Sequence, residues 1–76
     1  MQKLPSLTAK QVVRILKRFG FSEDRQRGSH LVLINALTKR RTIVPVHPGK
    51  TIKRPLLKSI VEKDVGVSVE EFMKYL

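Results

Sequence analysis

Apolar residues recur at two different periods along this 76-residue chain, and the change of period marks out its elements. Val12, Ile15, Leu16 and Phe19 fall at helical spacing and make one stripe, with Lys10, Arg14, Lys17 and Arg18 largely off it. Thr8-Ala9-Lys10-Gln11 opens this helix with capping-box spacing, and Gly20 closes it by tolerating a left-handed backbone. Phe21 to Gln26 reads as a short polar strand, at an edge or partly irregular, because it has little β-branched content. Gly28 marks a turn. His30 to Ile34 is the clearest strand, and its run Leu31-Val32-Leu33-Ile34 makes it apolar on both faces. Asn35 to Lys39 reads as a loop and Arg41 to Val46 as the third strand, where Pro45 removes a backbone donor and points to a strand end or an edge. Pro48-Gly49 is a turn. Pro55 suits the first turn of a second helix with the apolar face Leu56, Leu57, Ile60 and Val61, ending near Gly66. Ser68-Val69-Glu70-Glu71 repeats the capping-box spacing for a short third helix, packed through Phe72, Tyr75 and Leu76.

The order is helix, three antiparallel strands, helix, short helix: an α+β chain forming a single domain over residues 1–76. Each main helix has one apolar stripe to bury, so both should cover the same face of the sheet. A chain this short buries only about 60–65% of its extended surface, which leaves little margin of stability. The chain has no cysteine, hence no disulfide and no thiolate metal site. Its apolar runs are far too short to span a membrane, and the N-terminus lacks the apolar core of a signal peptide. The expectation is a cytoplasmic protein without membrane attachment.

Charge changes the picture more than composition does. The net charge is +10, and residues 3–58 hold fourteen of the sixteen basic residues with only two acids, Glu23 and Asp24. Residues 62–76 hold four acids and two lysines. A cationic body of this density attracts a polyanion through phosphate contacts and counterion release, and nucleic acid is the expected partner. An acidic protein would be attracted by the same field.

The candidate chemistry narrows to histidine. Two histidines seventeen residues apart, with no cysteine and scattered acids, do not form a zinc-type ligand set, so no metal or other cofactor is expected. Ser29 adjoins His30, which on a strand sends the two side chains to opposite faces and argues against a nucleophilic pair. No glycine-rich phosphate loop is present. Acid–base work on RNA remains, because RNA carries its own nucleophile. A base that removes the 2′-hydroxyl proton lets that oxygen attack the adjacent phosphorus, and a positioned base contributes about 10²–10⁴-fold. Arg25, Arg27, Lys39, Arg40 and Arg41 are candidates for binding RNA and stabilising the phosphorane, and the Gly28 N–H could bind a phosphate oxygen. If the second hairpin loop centres near Thr38, His30 faces Val46 and His47 faces Ser29, with the rings on opposite faces. A register shifted by one would set His30 across from His47 as an acid–base pair. The plainer alternatives are a solvent-facing strand residue for His30 and a backbone-bonded turn residue for His47.

Several segments, in order, resemble the HicA family of small toxins, the RNA-cleaving halves of toxin–antitoxin pairs. Lys3-Leu4-Pro5 and Leu16-Lys17-Arg18-Phe19-Gly20-Phe21 are similar to the family's opening. Arg25-Gln26-Arg27-Gly28-Ser29-His30 resembles its signature, a basic residue followed by Gly-Ser-His. Arg40 to His47 resembles its third strand, and Leu57-Lys58-Ser59-Ile60 with Gly66 to Phe72 its closing helices. The chain departs from the family in two places. Its loop Asn35 to Lys39 lacks the common Asp-Gly turn and is one residue longer, and the second helix carries an extra residue near Asp64.

The resemblance implies a small double-stranded-RNA-binding-domain-like fold. It implies a metal-independent endoribonuclease that cleaves mRNA with His30 as catalyst. Ser29 joins Arg25, Arg27 and Gly28 as a candidate RNA-binding residue. The resemblance also implies a HicB-type antitoxin that covers the site. His47 is the candidate second acid or base. Two other readings stand beside this one. One is a non-catalytic RNA-binding module of the same fold. The other is a small DNA-binding protein using its second helix, against which Leu56-Leu57 and Ile60-Val61 leave few polar groups to read bases.

Overall fold

The computed structural model describes residues 4–76, so Lys3 of the family-like opening lies outside the described residues. The elements are α1 (Ala9–Arg18), β1 (Phe21–Arg27), β2 (His30–Asn35), β3 (Arg40–Pro45), α2 (Arg54–Ser59), a π-helical segment (Ile60–Val65) and α3 (Val69–Met73). The antiparallel sheet has the order β1-β2-β3, so β2 is central and both neighbours are edges. This is the α+β order read from the sequence, and it agrees with the expected double-stranded-RNA-binding-domain-like architecture.

Local signals act as expected at most ends. The Thr8 hydroxyl accepts the Gln11 N–H at 3.3 Å, and the Gln11 side chain accepts the Thr8 N–H at 2.9 Å. Gly20 leaves the helix at φ 93°. Ser68 forms only half of its capping box. Its hydroxyl accepts the Glu71 N–H at 3.1 Å, while the Glu71 carboxylate turns to Lys74 at 3.4 Å.

Both main helices lie on one face of the sheet. Leu31, Leu33 and Val44 from that face pack into one core with Val12, Ile15 and Leu16 of α1 and Leu57, Ile60 and Val61 of the second helix. Each such fully buried side chain contributes about 1.5–3 kcal/mol relative to exposure. Val32, although buried, stands apart from this core because β alternation sends it to the other side. The opposite sheet face is therefore open, with Val32, Ile34 and Ile43 along its middle.

The structure corrects four expectations. The second hairpin loop is Ala36–Lys39, closed by Asn35 across from Arg40, so its centre falls before Thr38 and β3 runs Arg40–Pro45. The Asn35 side chain sets this. Its Oδ1 accepts the N–H groups of Leu37 (2.9 Å) and Thr38 (3.2 Å), and its Nδ2 donates to the Phe19 carbonyl (2.9 Å). His30 consequently faces Pro45, neither Val46 nor His47. Leu56 is 41% exposed, because Leu57, Ile60, Val61 and Val65 already make the buried face. Leu76 is 57% exposed and is no packing residue, whereas Phe72 is fully buried and stacks on Phe19 at 5.9 Å. Finally, the second helix does not reach Gly66 in α form. Its last turn widens, with the Gly66 N–H donating to the Val61 carbonyl five residues back at 3.0 Å. This π turn spans Ile60–Val65 and includes Asp64, where the sequence departs from the family pattern it resembles.

Candidate active site

The β1–β2 turn places the signature residues. Arg27 and His30 face each other across a two-residue loop, and Gly28 takes φ 56° at its first position, where type II′ hairpin turns favour glycine. The Gln26 side chain donates to the Gly28 carbonyl at 3.0 Å and steadies the loop. A Cβ on Gly28 would meet nothing within 4 Å, so glycine answers the turn geometry and leaves the backbone open to solvent.

On the third strand the Val46 N–H donates to the Ser29 carbonyl at 2.6 Å. Ser29 and Val46 thus form a hydrogen-bonded rung, and His30 and Pro45 form the non-hydrogen-bonded rung beside it. Pro45 lacks an N–H that this rung never needs. Such rungs bring Cα atoms to about 4.5 Å, the closer of the two spacings. Arg27, His30 and Pro45 therefore lie abreast across the three strands, with His30 exposed on the open face. Directly opposite residues share a face, which also puts Arg25, across from Val32, on this side. A bulge at Asp24 makes that possible. It shifts the register between Glu23 and Arg25 and turns both arginines to the side of His30.

The remaining candidates are elsewhere. Arg41, across from Ile34, shares the open face but lies four residues along β2, about 13 Å from His30. Lys39 sits at the tip of the far hairpin with φ 64°. Arg40 faces the helices. Its guanidinium donates to the Lys63 carbonyl at 3.2 Å and lies over Gly66, where a Cβ would meet it at 2.8 Å. His47 follows β3 on the same alternation as Pro45 and is exposed. It opens the turn His47–Lys50, in which the Lys50 N–H donates to its carbonyl at 3.0 Å and Gly49 takes φ 78°. His30 and His47 are thus at the same end of the sheet without sharing a rung.

The electrostatics are one-sided. Ion pairs among the described residues join Lys17 to Glu23 (2.8 Å), Arg25 to Asp24 (3.9 Å) and Lys74 to Glu71 (3.4 Å), all exposed and individually weak. Arg27 joins none of them. Among the described residues no three His, Cys, Asp or Glu side chains come together as a metal site would require. No described helix is long and apolar enough to cross a membrane. A cavity of about 740 Å³ lies between α1 and the helix-covered sheet face, over Leu31 and Val46. It is on the other side of the sheet from His30.

A family model described as the HicA toxin of bacterial toxin–antitoxin matches residues 9–67. The chain belongs to the HicA toxin family. The match runs from the first residue of α1 through all three strands and past the π turn, so both departures from the family pattern fall inside it. A HicA protein is the toxin of a toxin–antitoxin pair and has an antitoxin as its partner, and toxins of this family are generally ribonucleases. No curated protein is similar enough to the chain to count as a match.

Sequence reasoning singled out His30, Arg25 and Arg27, and the structure puts all three on one sheet face at the β1–β2 turn. It could not separate them from Lys39, Arg40 and Arg41, because charge alone carries no position. It passed over Lys50 and Lys53, which with His47 rim a hollow of about 380 Å³ beside Pro45. Their signal was present only as two more lysines in a basic chain.

Proposed function

We propose that this HicA protein is a metal-independent endoribonuclease acting on mRNA, with His30 as the general base. Its position carries the reading: an exposed imidazole on an unpartnered sheet face, abreast of Arg27 and one rung from an open glycine turn. His30 takes the proton of an RNA 2′-hydroxyl. The 2′-oxygen bonds to phosphorus, the bond to the 5′-oxygen breaks, and that oxygen receives a proton. The products are a 2′,3′-cyclic phosphate and a 5′-hydroxyl. Arg27 stabilises the charge gathered on the phosphorane, with Arg25 and the backbone of Gly28 and Ser29 holding the strand. His47, at the same end of the sheet, is the candidate acid for the leaving oxygen. Lys39 and Arg41 extend the cationic track toward the far hairpin, whereas Arg40 would have to leave the Lys63 carbonyl to join it. A HicB-type antitoxin with an acidic surface would neutralise the toxin by covering this face.

The test is a side-by-side incubation of wild type and His30→Ala with RNA in EDTA, with both folds checked by circular dichroism. Cleavage by wild type alone, leaving cyclic phosphate ends, is the expected result. Equal cleavage by the variant would overturn the role of His30. Salt-sensitive binding with RNA left intact by both proteins would favour a non-catalytic RNA-binding module.

A further inference from the structure

The hollow between the end of β3 and the start of α2 has an apolar floor and a cationic rim. Pro45, Ile52 and Leu56 supply the floor, and His47, Lys50 and Lys53 the rim. No carboxylate lines it. Among the described residues neither lysine is part of an ion pair. It begins at Pro45, the residue directly across from His30, so it continues the line Arg27, His30, Pro45 over the edge of the sheet.

The segment that forms it is held firmly. The turn at Pro48-Gly49 folds Lys50 back toward His47. Thr51 bridges to Thr8, and the buried Ile52 donates its N–H to the Leu7 carbonyl at 2.8 Å. The floor and the backbone that carries the rim are therefore in place before any ligand arrives, which lowers the cost of binding one. Leu56 is a helical leucine left 41% exposed, and it forms one wall of this hollow.

We propose that this hollow is a nucleotide subsite for single-stranded RNA. The base next to the scissile phosphate packs against Pro45 and Leu56, and Lys50 and Lys53 hold the flanking phosphates. An apolar patch ringed by cations matches a base with its phosphates, since every base has an apolar face and every nucleotide one negative charge. An acidic peptide would also meet the lysines, and the test below separates the two. The subsite rests on the ribonuclease reading for its place beside a scissile bond. Its occupancy by RNA does not depend on cleavage.

The experiment measures binding of a labelled single-stranded oligoribonucleotide to the cleavage-blocked His30→Ala protein as a function of salt. Adding Lys50→Ala and Lys53→Ala should weaken binding about tenfold at low salt and lower the slope of log K against log salt by about 1.4, roughly 0.7 for each lost phosphate contact. Removing the same charge elsewhere, with Lys58→Ala and Lys74→Ala, should leave the slope unchanged. In the otherwise wild-type protein, Leu56→Ser should redistribute the cleavage sites. An unchanged slope in the Lys50/Lys53 variant overturns the subsite, as does an equal fall in the Lys58/Lys74 control. A complete absence of RNA binding overturns it too, and leaves an acidic peptide as the ligand of the lysines. If wild type leaves RNA intact while the Lys50/Lys53 slope falls selectively, the ribonuclease reading fails and the subsite stands.

Discussion

The β1–β2 turn presents its residues to solvent, whereas the β2–β3 turn spends its polar groups on the fold. At the first turn Gly28 has open space around it, and Arg27 and His30 stand on the uncovered face. At the second, Asn35 binds the loop and the end of α1, and Arg40 reaches the Lys63 carbonyl. Both ends are basic in sequence, yet at the second Arg40 is held by the fold while Lys39 and Arg41 stay exposed. A stretch of Lys-Arg-Arg is thus no guide to a site until the partners of each side chain are known.

The sharpest break in the comparison is His30→Ala. Cleavage should fall by about 10²–10⁴-fold, the usual contribution of a positioned acid or base. Stability should move by less than about 0.5 kcal/mol, as for exposed substitutions generally. A large shift in melting temperature would mean that the first turn is structural after all. Asn35→Ala tests the other end. It strips two loop N–H groups and the Phe19 carbonyl of their partners, and Asn35 is only 5% exposed. A loss of about 1–3 kcal/mol should follow, with turnover per folded molecule unchanged. Thermal unfolding followed by circular dichroism reads it, at roughly 4–8 °C per kcal/mol in a domain of this size.

Arginine substitutions compare the ends within one residue type. Under the proposed mechanism Arg27→Ala should lower kcat about tenfold, since Arg27 lies abreast of His30. Arg41→Ala, about 13 Å along the strand, should raise KM by a small factor and leave kcat alone. Single-turnover kinetics at saturating protein separates the two effects. Equal falls in kcat would mean that both ends of the sheet serve the reacting phosphate.

How much of this was legible in the sequence follows from the range of each interaction. The Thr8 cap, the Gly20 stop and the Gly28 turn are local, decided within a few residues, and the sequence states them. Register is not local. It depended on Asn35 reaching Phe19, a contact sixteen residues away that no periodicity reports. The relation of His30 to His47 was therefore open, since a shift of one residue changes every pairing. The widened turn over Ile60–Val65 was not legible either. It is tied to the sheet through Asp64, which accepts the hydroxyl of the buried Thr42 at 2.8 Å. The same blindness to partners made Arg40 look equivalent to Arg27.

The smallest predicted effect tests whether Arg40 belongs to the fold as firmly as the comparison requires. Gly66 takes φ 80°, where a Cβ is strained, and the nearest atoms to that Cβ would be those of the Arg40 guanidinium. Gly66→Ala should cost about 1–2 kcal/mol, most of it from the left-handed backbone. A smaller part comes from displacing Arg40, whose flexible side chain can swing away but then leaves the Lys63 carbonyl. Arg40→Ala alone should cost about 0.5–1 kcal/mol, the net worth of one exposed hydrogen bond. In the double variant there is no guanidinium left to displace, so the two costs should fall short of additivity by about 0.5 kcal/mol. Denaturant unfolding of the four proteins measures this coupling. Full additivity would show that Arg40 does not rest on Gly66 in solution. Its charge would then be as free as that of Arg27, and the contrast between the two turns would narrow to Asn35.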